Sequence, residues 1–232
     1  MALPKLNAPV YTLEMPSTGK KHKYRPYTVK EEKALLIARE TGSDADTINS
    51  AAALLETCID DLNAKDLTTF DFEFCFLTLR SKSAGEDADV LIECEECSEQ
   101  TKMKIMLDSL YIDGEILSSE DMTVKITDTI GIEFSYPKFT QTASLSGSSI
   151  DIMTKTLARC IKTIYDENGV YHARDYKDSE LIDFIESLSS TQFKQIVELF
   201  DVTPTVAIDA KYRCGSCEHI GEKTIRGMQN FF

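Results

Sequence analysis

A chain of 232 residues, 42% apolar and 28% charged, is long enough to bury a core and has the composition of an ordinary soluble globular protein. Its 39 acidic and 25 basic residues leave a net charge of −14, a field that repels phosphate backbones and argues against nucleic acid as a ligand. Apolar runs such as Ala51-Ala52-Ala53-Leu54-Leu55 fall far short of the roughly 20 residues a membrane helix needs. Met1-Ala2-Leu3-Pro4-Lys5 lacks the charged-then-apolar pattern of a signal peptide, so the expectation is a protein that works in the compartment where it is made.

Residues 1–27 are punctuated by Pro4, Pro9, Pro16 and Pro26 and read as an extended arm, with a short strand at 10–13 and a turn at Pro16-Ser17-Thr18-Gly19. Lys20, Lys21, Lys23, Arg25 and Lys30 form a basic stretch. It reads as a solvated loop, or as an electrostatic dock for an acidic partner. Thr28-Val29-Lys30-Glu31 has capping-box spacing and predicts a helix over 31–40. Ile48, Ala51, Ala52, Leu55 and Ile59 recur at helical spacing and predict a second over 44–60.

The stretch Phe70-Asp71-Phe72-Glu73-Phe74-Cys75-Phe76 alternates like a strand. Caps at Thr68 and Thr69, and continuation through Leu77, Leu79 and Arg80, favour a helix instead. Strands are expected at 89–93 and 101–106, and a hairpin at 122–127 and 131–136 around Asp128. Ala-Ser-Leu-Ser-Gly-Ser-Ser at 143–149 is a linker by composition. A helix is expected over 150–166 with Ile152, Leu157, Ile161 and Ile164 inward, then a turn at Glu167-Asn168-Gly169 and a strand at 170–173. Helices at 179–188 and 191–199 follow, ended by Pro204, and strands at 205–213 and 223–226 close the chain. The expected class is α+β, organised as an arm and helical region (1–88), a first zinc knuckle with hairpins (89–142), a helical insertion (143–204) and a second knuckle with a tail (205–232).

Seven cysteines without a secretory signal argue for reduced thiols. Cys58, Cys75 and Cys160 sit among apolar residues and read as small core side chains. The other four form two C-x-x-C pairs, Cys94-Glu95-Glu96-Cys97 and Cys214-Gly215-Ser216-Cys217, each at the tip of an expected hairpin. Two-residue spacing lets one tight turn aim both sulfurs at a point about 2.3 Å away, and two such turns face to face make a tetrahedral S4 site. This is a zinc-ribbon plan with 117 positions between Cys97 and Cys214, and it predicts one structural Zn2+ per chain. A redox pair, an iron centre on the same thiolates, and His219 as a substitute ligand are the alternatives. His22, His172 and His219 all lie in polar or loop-like sequence, and no nucleophile elbow, Walker loop or H-E-x-x-H is present. No enzyme is expected.

The opening Leu3-Pro4-Lys5-Leu6 through Pro16-Ser17-Thr18-Gly19-Lys20, then Tyr24-Arg25-Pro26-Tyr27-Thr28-Val29-Lys30-Glu31-Glu32-Lys33, resembles the N-terminal signature of the T4-type phage baseplate hub proteins. The segment Leu79-Arg80-Ser81-Lys82-Ser83-Ala84-Gly85-Glu86 and the end from Cys214 to Phe231-Phe232 are similar to that family too. The resemblance implies a non-enzymatic component of the contractile-tail baseplate, made in the infected bacterium's cytoplasm and used in assembling the central hub. It implies hub or tail proteins as partners and no small-molecule substrate. Docking is expected through Lys20, Lys21, Lys23 and Arg25 and through Phe231 and Phe232. The alternatives are a zinc-ribbon nucleic-acid or transcription module, disfavoured by charge, and a hub assembly chaperone that leaves before the virion is complete.

Overall fold

The computed structural model describes residues 7–142, 145 and 148–227. The chain divides into two compact units, Met1–Asp113 with Thr205–Phe232, and Gly114–Pro204.

The first unit opens with a hairpin of β1 (Tyr11–Glu14) and β2 (Lys21–Tyr24), in which Leu13 faces His22. The basic stretch is therefore a strand in part, not a loop. Strand alternation turns His22 and Tyr24 inward and leaves Lys21 and Lys23 in solvent. His22 is buried, and its Nδ1 donates to the Asp60 carbonyl oxygen at 2.8 Å, which corrects the expectation of polar, loop-like surroundings for this residue. Helices α1 (Val29–Thr41) and α2 (Asp44–Cys58) follow. The Thr28 backbone N–H and hydroxyl both donate to Glu31 Oε2, at 2.6 and 2.9 Å, as the capping-box spacing predicts.

Helix α3 (Thr69–Ser83) takes up the alternating phenylalanines. Phe70, Phe72, Cys75, Phe76, Leu77 and Leu79 are all buried, so its apolar residues occupy several faces and the period of 3.6 is blurred. Cys75 Sγ lies 3.8 Å from Met15 Sδ, and burial raises its thiol pKa. Burial likewise pushes Cys58 up to about 11 and Cys160 up to about 12. These three thiols are core side chains, as their sequence context indicates. Strands β3 (Asp87–Glu93), β4 (Gln100–Met106) and β5 (Tyr111–Asp113) complete this segment.

The second unit contains β6 (Thr123–Lys125), β7 (Gly131–Phe134), α4 (Phe139–Thr142), α5 (Ser149–Cys160), β8 (Ile161–Asp166), β9 (Gly169–His172), α6 (Asp178–Glu186) and α7 (Ser190–Asp201). Its antiparallel sheet runs β6-β7-β8-β9, and Ile132, Phe134, Leu157, Leu181, Ile185 and Ile196 share its core. The helix expected over 150–166 ends at Cys160, and residues 161–166 are a strand. Leu157 and Ile161 mimic helical spacing, but Ile161-Lys162-Thr163-Ile164-Tyr165 is β-branched and aromatic, and pairing on both sides with β7 and β9 satisfies its backbone. The segment expected to be a helical insertion thus carries two strands. At Gly131, opposite Tyr165, a Cβ would collide with the tyrosine ring and its hydroxyl. Of the expected linker at 143–149, Ser148 caps α5 and Ser149 opens it. Residues 143, 144, 146 and 147 lie outside the described residues, as do Phe231 and Phe232.

The chain then re-enters the first unit as β10 (Thr205–Arg213) and β11 (Ile220–Arg226), in a sheet ordered β11-β10-β5. The inward residues Ala88, Val90 and Ile92 of β3 and Ile208, Ala210 and Tyr212 of β10 join Leu77 of α3 in one apolar cluster.

Candidate metal centre

Two hairpins of the same design carry the four cysteines. In β3–β4 the last strand pair before the turn is Glu93 with Gln100, and in β10–β11 it is Arg213 with Ile220. Each turn is closed in the same way. The Cys94 N–H donates to the Glu99 carbonyl at 3.0 Å and the Ser98 N–H to the Cys94 carbonyl at 2.9 Å. The Cys214 N–H donates to the His219 carbonyl at 2.8 Å and the Glu218 N–H to the Cys214 carbonyl at 3.2 Å. Ser98 and Glu218 both take left-handed φ, 57° and 60°, so the chain pays local strain at matched positions to aim each cysteine pair.

The hairpins face each other, and their sulfurs converge. Cys94 Sγ lies 3.6 Å from Cys217 Sγ, and Cys97 Sγ lies 3.5 Å from Cys214 Sγ. All four ligand atoms fall within 4.8 Å of one another. Disulfide sulfurs would be about 2.05 Å apart, and all four thiols are free. A tetrahedron with metal–sulfur bonds of about 2.3 Å sets its sulfurs about 3.8 Å apart. The donor set therefore fits a soft, four-coordinate ion of the zinc class. Cys94 and Cys214 are buried, whereas Cys97 and Cys217 are exposed. Backbone N–H groups of Cys217 and Ser216 lower the Cys214 thiol toward the thiolate form that binds metal, while the crowding of neighbouring sulfurs raises those of Cys97 and Cys217.

Further contacts lock one knuckle to the other. The Glu95 N–H donates to the Tyr212 hydroxyl at 3.3 Å, and the Gly215 N–H to Thr101 Oγ1 at 3.4 Å. Tyr212 pairs with Gly221 across its hairpin, and a Cβ there would sit 2.8 Å from the buried ring. Glycine at 221 gives the ring room to reach the opposite knuckle. Sequence reasoning missed Tyr212, Thr101 and Gly221; the hairpin register, which sets Tyr212 against a glycine, is the signal that points to them. His219 gives its backbone carbonyl to the Cys214 N–H, and its ring stands 6.3 Å from that of Tyr212. It is not among the converging ligands.

The expected docking residues divide. Lys20, Lys21 and Lys23 are exposed, with Lys21 3.7 Å from Glu14. Arg25 forks onto Glu31, Nη2 to Oε1 at 2.7 Å and Nη1 to Oε2 at 3.1 Å, so its charge is already engaged. No helix among the described residues is long and apolar enough to cross a membrane.

Comparison with known proteins gives three findings. The chain is 26% identical over 211 residues to the baseplate hub assembly protein gp26 of Enterobacteria phage T4, covering 90% of each chain. No solved structure matches it. The family of T4 bacteriophage base plate proteins matches residues 8–232, and with nearly the whole sequence inside that match, the chain belongs to this family.

Proposed function

We propose that this protein is a non-enzymatic structural or assembly component of a contractile-tail phage baseplate hub, stabilised by one structural Zn2+ on Cys94, Cys97, Cys214 and Cys217. The observation that carries the hub role is the match, over 90% of each chain, to a protein named for hub assembly. Convergence of four thiols from two distant hairpins supports the metal. Four thiolates leave no open coordination position, so the ion would hold the hairpins together and supply no reactive water.

On this reading the partners are other hub or tail proteins, met in the host cytoplasm during assembly, without nucleic acid, membrane or small-molecule substrate. The exposed Lys20, Lys21 and Lys23, with Arg25 bracing the strand end, would steer an acidic partner surface. Phe231 and Phe232 would add an apolar anchor. The test is quantitative mass spectrometry of purified particles beside infected lysate, with affinity capture of the tagged chain. Co-purification with baseplate proteins supports the hub role, and its absence from both hub intermediates and particles refutes it. Presence in intermediates but not in particles identifies a transient assembly factor.

A further inference from the structure

In the second unit, a cavity of about 310 Å3 opens between the end of the β8–β9 hairpin and α6. Its walls combine three aromatic rings, Tyr171, Tyr176 and Phe184, with two carboxylates, Asp166 and Glu180, over an apolar floor that includes Ile164 and Leu181. Each part is held in place by its own element. Tyr171 lies on β9, Tyr176 follows the single turn at Ala173–Asp175, and Glu180 and Phe184 sit one helical turn apart on α6. Asp166 accepts from the backbone N–H groups of Asn168 at 2.7 Å and Gly169 at 3.0 Å and from the Tyr171 hydroxyl at 3.2 Å. These bonds, the Asn168 N–H foremost, lower its pKa and keep it ionised. Glu180 gives Oε2 to the Lys177 N–H at 2.9 Å, and its Oε1 has no partner among the described residues.

We infer that this cavity is a receptor for an arginine side chain presented by a partner protein. Aromatic faces attract a cation placed over them, and the attraction grows when the site is partly desolvated. The two carboxylates supply the opposite charge; both Asp166 oxygens already accept hydrogen bonds, so Glu180 Oε1 is the acceptor for the guanidinium. Arginine suits such walls better than lysine because its flat, weakly hydrated head stacks on rings and sheds less water on leaving solvent. The net charge of −14 points the same way, since it draws cationic groups to the surface.

The test uses the full zinc-loaded chain, isotope-labelled, titrated with N-acetyl-arginine amide and followed by NMR. The matched probes are N-acetyl-citrulline amide, which has the same shape without the charge, and N-acetyl-lysine amide. The expected result is saturable shifts centred on Tyr171, Tyr176 and Phe184, with the citrulline probe at least about ten-fold weaker and the lysine probe weaker than arginine. Glu180→Gln retains a side-chain acceptor for the Lys177 N–H, and Tyr176→Ala removes an exposed ring. Each should weaken the arginine probe several-fold while core resonances stay in place. Equal binding of citrulline, tighter binding of lysine, or shifts centred elsewhere would each overturn the assignment.

Discussion

Cys214→Ser tests the proposed metal centre most directly, because Cys214 is buried and its sulfur lies 3.5 Å from Cys97 Sγ on the opposite hairpin. The nearest sulfurs of the two hairpins, Cys97 and Cys214, are 117 positions apart in the chain. A cross-link closing a loop of that size restricts the unfolded chain by about 5 kcal/mol on the loop-entropy relation. Zinc affinity adds to this, and structural zinc can contribute on the order of 10–16 kcal/mol in apparent binding energy. Net stabilities of domains are about 5–15 kcal/mol, so even the entropic share is a large fraction. At about 2–4 °C per kcal/mol for chains of this size, the melting temperature should fall by at least about 10 °C. The loss should concentrate in the first unit: hydrogen exchange should accelerate in β3, β4, β10 and β11, while β7, β8 and α5, built on a separate apolar cluster, keep most of their protection. Metal analysis should give one zinc per wild-type chain and markedly less in the variant. Protein purified without chelators that contains no zinc, or a variant that melts and exchanges like wild type, would refute the reasoning.

Gly221→Ala drives a Cβ to 2.8 Å from the buried Tyr212 ring and should cost about 1–3 kcal/mol by overpacking, read by chemical denaturation. Tyr212→Phe keeps the ring but removes the acceptor of the Glu95 N–H, and should cost about 1 kcal/mol with zinc still bound. The Arg25 fork holds the Glu31 carboxyl down to about 2 from its usual 4.5. Because the folded value is depressed, the contribution is present above pH 4.5 and is lost as pH falls through about 2. Glu31→Gln should therefore cost about 1 kcal/mol at pH 7, and its gap from wild type should narrow in denaturation curves taken at successively lower pH. Reversing Lys20, Lys21 and Lys23 to Glu should slow hub association, most at low salt, whereas deleting Phe231 and Phe232 should raise the dissociation rate; surface-binding kinetics separate the two.

Local chemistry alone carried much of this protein. The C-x-x-C spacing identified the four thiols, because two-residue turns are among the few that aim both sulfurs at one point. Thr28 with Glu31 marked the start of α1, and of the two expected caps Thr68 is the one that caps α3, accepting from the Asp71 N–H against the strand-like alternation of the phenylalanines. The strand at Thr205–Arg213 was legible as strand-like sequence. Three features were not, and each depends on a partner distant in sequence. Residues 161–166 form a strand because β7 and β9 lie on either side to take their backbone bonds, while their own spacing still suits a helix. His22 is buried because Asp60, 38 positions away, offers it a carbonyl. The contacts of Tyr212 and Thr101 across the knuckles exist only once two hairpins of like register stand face to face. Spacing along a chain encodes which atoms a turn can aim; what those atoms meet is decided by backbone pairing and burial between distant segments, and that belongs to the tertiary structure.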